Sequence, residues 1–256
     1  MRSVGAHVGS EDPLGEAEAL GAECLQLFLS HPQTWRRPPS REDAAELRGS
    51  ELDVYVHAPY LINVCSPQNK IRHGSRKILQ QTCDAAAEVG AAAVIVHAGY
   101  AEDGIGAGVG RWPTTLERLE SDVPVLIENT AGGENAVARR FDALAQLWEA
   151  IAAGSGENTA GFCFDTCHAH SAGEELSDAV ERVLAIVGSI DLLHANDSKD
   201  PAGSGRDRHE NLGAGEVGAG ALRQMIGVAE APVVCETPGG PEKMSADIEF
   251  VRSALA

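Results

Sequence analysis

The sequence has no apolar run near the roughly 20 residues needed to span a bilayer, so no membrane segment is expected. Its N-terminus, MRSVGAHVGSEDP, lacks an apolar stretch followed by a cleavage site, so no secretory signal is read and the expected compartment is the cytoplasm. The six cysteines form no CxxC pair and no secreted-type framework. Cys24, Cys163 and Cys235 lie inside apolar runs, where a free thiol behaves as a small hydrophobe, and reduced core thiols are expected throughout. Cys167, beside His168, is the least settled of them. There is no low-complexity tract, no long Pro/Gly/Ser linker, and no evident Ser/His/Asp triad. Positive charge is scarce: 20 Lys and Arg stand against 38 Asp and Glu, a net charge of −18. That balance excludes unspecific coating of nucleic acid, whose affinity comes largely from Lys and Arg. It leaves open a local phosphodiester site, because acidic residues that hold dications are neutralised by them.

What the chain does contain is one recurring pattern. A short apolar run ends in a polar or Gly-rich stretch, and a helical-looking segment follows. The runs are Val4–Val8, Cys24–Leu29, Asp53–Ala58, Ala93–Ala98, Val123–Thr130, Gly161–Thr166, Ile190–Asn196 and Val233–Thr237. Their spacing of about 33 residues is the length of one strand-plus-helix unit. Helices are expected at Pro13–Gly21, Ser75–Gly90, Ala138–Ala153 and Ser177–Val187, the last with Ser177 as N-cap. Eight such units in 256 residues predict an α/β fold, a single-domain (β/α)8 TIM barrel over residues 1–256. A doubly wound open sheet is the competing fold, since alternation alone does not separate the two.

The residues that terminate the runs carry the chemistry. His57 ends the third, His97 the fourth and Glu128 the fifth; the sixth gives Asp165 and then His168; His194 ends the seventh and Glu236 the eighth. The loop after the seventh adds Asp207 and His209. In a parallel barrel all strand C-termini open on one face, so these nine residues converge there. Each is a type that binds borderline divalent ions. Charged groups at buried strand ends cost several kcal/mol unless paired or metal-bound, and repetition of that cost in register predicts a metal cluster, zinc first. His7 reads equally as a residue behind the ligands or a structural one. His31, His73 and His170 read as loop or surface histidines, and Trp35, Trp112 and Trp148 as packing residues. Arg36, Arg37, Lys70, Arg72, Arg76, Lys77, Arg139 and Arg140 read as solvated faces, while Arg206 and Arg208, interleaved with the DxH pair, are better placed to meet phosphate.

The stretches GAHV, HPQTW, HAPYLIN, IENTAGG, DTCHA, HANDSKD, GSGRDRHENLGAG and ET, from position 5 to 237, together resemble the endonuclease IV family of zinc-dependent apurinic/apyrimidinic endonucleases. The resemblance implies a (β/α)8 barrel and three zinc ions, with Mn or Fe also admitted at one site. His57 and His97 would hold the first ion, and Glu128 would bridge to a second completed by Asp165, His194 and Glu236. His168, Asp207 and His209 would hold the third. Glu128 is the implied catalytic residue, a ligand that also orients the attacking water. The implied substrate is double-stranded DNA containing an abasic site, cut on its 5′ side to leave a 3′-hydroxyl and a 5′-deoxyribose phosphate, with 3′-end trimming as a side activity. The implied acting species is a monomer, cytoplasmic and nucleoid-associated. Gln33, Tyr60, Leu61, Arg206 and Arg208 are the expected DNA contacts, Tyr60 and Leu61 matching wedge-like loop residues. The first recognition loop departs from the family, with His31 where Asn is usual and Gln33 where some members carry an inserted Arg. Two other readings stand beside this one: a metal-dependent sugar isomerase or epimerase on the same barrel, which needs no third ion, and a damage-binding module with missing ligands.

Overall fold

Each of the eight apolar runs forms a strand. These are β1 (Val4–His7), β2 (Cys24–Leu27), β3 (Asp53–His57), β4 (Ala93–His97), β5 (Val125–Glu128), β6 (Gly161–Asp165), β7 (Leu192–His194) and, after two short strands, β10 (Val233–Cys235). The computed structural model describes residues 2–154 and 160–256. The eight strands pair in parallel in the order β1-β2-β3-β4-β5-β6-β7-β10 and close back on β1. Closure excludes the doubly wound sheet and gives the expected single-domain barrel. The short strands, β8 (Asp197–Ser198) and β9 (His209–Glu210), pair antiparallel above the barrel and brace the loop that follows β7.

Side chains alternate in and out along each strand. Outward residues such as Val54, Val56, Val94 and Val96 join the large apolar cluster between barrel and helices. Inward residues Cys24, Tyr55, Ala93, Ile95, Leu126, Cys163, Leu192 and Val234 form a second apolar cluster that fills the barrel. Both faces of the sheet are therefore covered, which is why the strands read as nearly continuous apolar runs.

The helices largely follow expectation. Pro13–Leu20 is capped by Asp12, which accepts from Gly15 N at 3.1 Å, and ends at Gly21 in the left-handed region. The helix expected from Ser75 starts at Asn69, so Ser75 is interior and buried, its hydroxyl accepting from Asn63 N at 2.8 Å. The helix expected from Ala138 covers Phe141–Gly154. Ser177 does not cap its helix: Ala179–Val187 starts after Asp178, and Ser177 N instead donates to Glu175 Oε1 at 3.2 Å.

Trp112 is buried and donates to Ala98 O at 2.9 Å, and Trp148 meets Phe162 edge-on at 5.4 Å. Trp35 is not a packing residue; it is 47% exposed, its ring edge over Gly74. Nor is His170 on the surface: it is buried, with Nε2 3.0 Å from Asp200 O. Arg72 and Arg76 are half-buried and bonded to main-chain carbonyls rather than solvated. His31 and His73 are exposed as expected, and all six cysteines are buried and free. Among the described residues no helix is long and apolar enough to cross a membrane.

Candidate metal centre

The period-2 alternation that fills the barrel also builds its upper rim. Two residues beyond each inward apolar position comes the next inward one: Tyr55 leads to His57, Ile95 to His97, Leu126 to Glu128, Cys163 to Asp165, Leu192 to His194 and Val234 to Glu236. By the same step Cys24 leads to Gln26, and Gly5 to His7. All eight strands thus place a polar residue at the last inward position of one face.

Glu128 is at the centre and fully buried. Its Oε2 lies 3.2 Å from His57 Nε2 and 3.1 Å from His97 Nε2. Its Oε1 lies 2.9 Å from His194 Nδ1. His194 Nδ1 is also 3.2 Å from Glu236 Oε2 and 4.0 Å from Asp165 Oδ2. Beside them, Asp207 brings one oxygen within 3.2 Å of His168 Nε2 and the other within 3.0 Å of His209 Nε2. Donor atoms fall within 4.8 Å of one another in the groups His57/His97/Glu128, Glu128/Asp165/His194/Glu236 and Asp165/His168/His209. All nine expected ligands are gathered, from five adjacent barrel strands, the helix Thr166–Ala172 that follows β6, the end of β10 and the braced loop. That loop comes close because Gly132 lacks a side chain: a Cβ there would lie 2.1 Å from Gly205 O.

The rings are held from behind. His57 donates Nδ1–H to Ala58 O at 2.8 Å, His168 to Asn129 O at 2.8 Å, and His209 to Glu236 O at 3.0 Å. Each then turns Nε2 toward carboxylate oxygen, an arrangement that fixes tautomer and leaves a lone pair for a cation. The His209 Nε2 atom is buried with no hydrogen-bond partner of good geometry. A buried nitrogen without such a partner, facing carboxylates, has the donor chemistry of a cation site rather than of a packed core. Cys163 and Cys167 also approach these groups, but burial pushes both thiols up to about 12, leaving them protonated.

Electrostatics agrees. Burial alone would raise Glu128, but His194 and His97 outweigh it and hold the carboxyl well below its usual range. Burial likewise opposes the charge on Asp207, which His168 and His209 hold low. Asp165 is raised by its burial. Against the burial that would lower it, His209 is pushed up to about 9 by Asp207 and Asp165. Buried carboxylates and imidazoles at such distances are a donor set that fits divalent cations.

The expected DNA contacts sit around this rim with unequal freedom. Tyr60 is 48% exposed; its ring stacks on His97 at 5.4 Å and meets His57 edge-on at 5.3 Å. It borders a cavity of about 320 Å³ also lined by His97, His168 and Asp207. Leu61 is half-buried beside it, and Gln33 is exposed in a separate groove next to His31, Arg36 and Arg37. Arg206 and Arg208 are exposed but not free: both are bonded to Asp200, Arg208 bidentately at 2.6 Å. His7 lies beside Glu236, its Nδ1 3.6 Å from Glu236 Oε1. Sequence reasoning missed Gln26, Asn129 and Asn196. Asn196 donates to Asp165 Oδ2 at 2.6 Å, and Asn129 accepts from Asp165 N at 2.7 Å. The Asn after each of Glu128 and Ala195 was the available signal, since an amide beside a strand-end ligand has donors to spare for it.

Residues 14–254 match the family model described as xylose isomerase-like TIM barrel. The chain is 54% identical to the "Probable endonuclease 4" of Mycobacterium marinum over 254 residues, 98% of each. It superposes on the crystal structure of endonuclease IV from Thermus thermophilus with a TM-score of 0.82 at 27% identity, covering 99% of this chain and 98% of that one. A D-tagatose 3-epimerase-like protein shares the fold alone, with a TM-score of 0.77 at 16% identity over 100% of this chain and 97% of the other.

Proposed function

Because the chain belongs to the endonuclease IV family, we propose that it hydrolyses the phosphodiester on the 5′ side of an abasic site in duplex DNA, leaving a 3′-hydroxyl and a 5′-deoxyribose phosphate. The observation that carries this reading is Glu128: a wholly buried carboxylate with three histidine nitrogens within 3.2 Å, at the junction of the donor groups. The chain would hold three zinc ions, one on His57, His97 and Glu128, one on Glu128, Asp165, His194 and Glu236, and one on His168, Asp207 and His209. When bound, such ions lower the pKa of water toward about 7 and neutralise charge on phosphate oxygens.

The chain's own residues do the rest. Glu128 is kept ionised by its imidazole neighbours and lies where it can align the attacking water. Tyr60, with Leu61 next to it in the chain, stands at the edge of the cavity into which a nucleotide without a base, cheap to unstack, would turn. Arg206 and Arg208, anchored on Asp200, present cationic edges to the phosphates flanking the break. The net charge of −18 is no obstacle, since the acidic residues nearest the substrate are those the dications neutralise. We read the acting species as a monomer, as the family resemblance implies, and as cytoplasmic, consistent with six free thiols. Trimming of blocked 3′ ends would use the same cage.

The test is a duplex with one abasic site, labelled on both ends, incubated with protein whose zinc content has been measured. Cleavage giving 3′-hydroxyl and 5′-deoxyribose phosphate ends with three zinc ions per chain is expected. A fully loaded protein that leaves the duplex intact, or one holding a single ion and interconverting sugars, would overturn the reading.

A further inference from the structure

Of the five histidines among the expected ligands, His57, His168 and His209 are held by main-chain carbonyls, whereas His194 is held by a side chain. Gln26 is fully buried at the inward position of β2. Its Nε2 lies 2.6 Å from Glu236 Oε1 and 3.0 Å from His7 Nδ1, and its Oε1 lies 2.8 Å from His194 Nε2. We propose that Gln26 is a positioning residue that dictates which nitrogen His194 offers to a cation and holds Glu236 beside it. This rests on the metal reading of the same cage.

The orientation of the amide follows from the hydrogen-bonding inventory. An ionised carboxylate only accepts, so the atom 2.6 Å from Glu236 is the NH2 group. One of its hydrogens goes to Glu236 and the other to His7 Nδ1. The amide oxygen must then face His194, and an oxygen only accepts, so His194 Nε2 carries hydrogen. The lone pair of a neutral His194 is therefore on Nδ1, the atom aimed at Glu128 Oε1 and Glu236 Oε2. His194 is turned the opposite way from His57, His168 and His209, which donate from Nδ1 and present Nε2. Flipping the amide would oppose two oxygens at 2.6 Å and leave His194 facing an NH2 group. One side chain thus sets two members of the Glu128/Asp165/His194/Glu236 group at once.

The experiment compares the parent chain with Gln26→Leu, which has similar volume and no polar atoms. Both are equilibrated with zinc in graded chelator buffers, and bound zinc per chain is measured along with the melting temperature of the metal-free proteins. One ion is expected to be lost from Gln26→Leu at free zinc about 10- to 100-fold higher than from the parent, with the other ions unmoved, while the metal-free melting temperature falls by several degrees because His194 Nε2 and Glu236 lose their buried partner. Should Gln26→Leu fail to fold, Gln26→Met carries the same comparison. Unchanged affinity for every ion overturns the assignment. So does an equal weakening of all ions, which marks a packing role only. A parent chain that binds no zinc would instead refute the metal reading itself, and this shows before any variant is compared.

Discussion

Two successive inward layers of the same barrel differ in everything but backbone. The lower, with Tyr55, Ile95, Leu126, Cys163, Leu192 and Val234, is apolar and buried. The upper, with Gln26, His57, Glu128, Asp165 and His194, is as buried, yet made of groups that cost several kcal/mol each to desolvate unless satisfied. A strand step of two residues separates them, so strand geometry tolerates either content. The lower layer stabilises the barrel. The upper layer is retained against a cost, and its donors face one another in groups whose atoms lie within 4.8 Å. Stability and chemistry are therefore separable by layer, and substitutions can break that division.

The largest effect is expected at the centre of the upper layer. Glu128→Gln keeps the shape but removes the charge shared by His57, His97 and His194. Abasic-duplex cleavage should fall by about 10³-fold or more, equivalent to about 4 kcal/mol of barrier, while circular dichroism shows an intact barrel. Near-parental turnover would remove Glu128 from the mechanism. One layer down on the same strand, Leu126→Ala should do the reverse. It should cost about 2–5 kcal/mol of stability by thermal or denaturant unfolding, with zinc affinity close to the parent's. Zinc loss matching that of an upper-layer variant would mean the layers are coupled.

A smaller effect sharpens the contrast through pH. In the metal-free chain His209 is raised from 6.5 to about 9, and His168 and His194 are raised as well. A raised histidine stabilises the fold fully below its unfolded value and loses that contribution as pH rises through the folded one. Asp165, also raised, has the same sign, its contribution fading above its ordinary value of 3.8. Glu128, Asp207 and Glu236 are lowered, so theirs is present above about 4 and lost as pH falls. The metal-free protein should therefore melt highest at about pH 4.5–6.5 and lower by several degrees at about pH 9. Added zinc, which needs unprotonated imidazoles, should raise the melting temperature more at about pH 8.5 than at about pH 6. A zinc shift that is flat with pH would argue that these histidines are not ligands. Leu126→Ala should move all the curves together.

Much of this was legible in the sequence because the donors end apolar runs, and a run that reads as a buried strand need not reveal its in–out phase to locate its end. The phase was needed for Gln26, which looks like one polar residue within CLQLFL and turns out to face His194. His170 read as a loop or surface histidine, but a main-chain carbonyl of Asp200 satisfies it in the interior. The orientation of each ring was not legible, because it depends on carbonyls of Ala58, Asn129 and Glu236 that only the fold brings near. Strands of two residues such as β8 and β9 carry no periodicity, although they fix the loop bearing His209. Ser177 shows the limit of capping rules, since the helix starts one residue later, after Asp178, which makes no side-chain capping bond.

The smallest expected effect concerns the outer edge of the upper layer, where Tyr60 belongs to both the cage and the solvent. Its ring stacks on His97, so its removal can act on the ligand or on the substrate. The two roles predict different ratios. If Tyr60 meets the DNA, Tyr60→Ala should raise KM for an abasic duplex about 10-fold, the worth of roughly 1–1.5 kcal/mol of aromatic contact, and barely change hydrolysis of a small phosphodiester. If it only steadies His97, both substrates should suffer equally, through kcat, and one zinc should become easier to remove. Tyr60→Phe separates ring from hydroxyl: parental behaviour is expected, because the contacts with His97, His57 and Phe28 are made by the ring. Unequal losses on the two substrates with zinc unchanged would place the boundary between chemistry and recognition at this residue, just outside the ring of eight inward side chains.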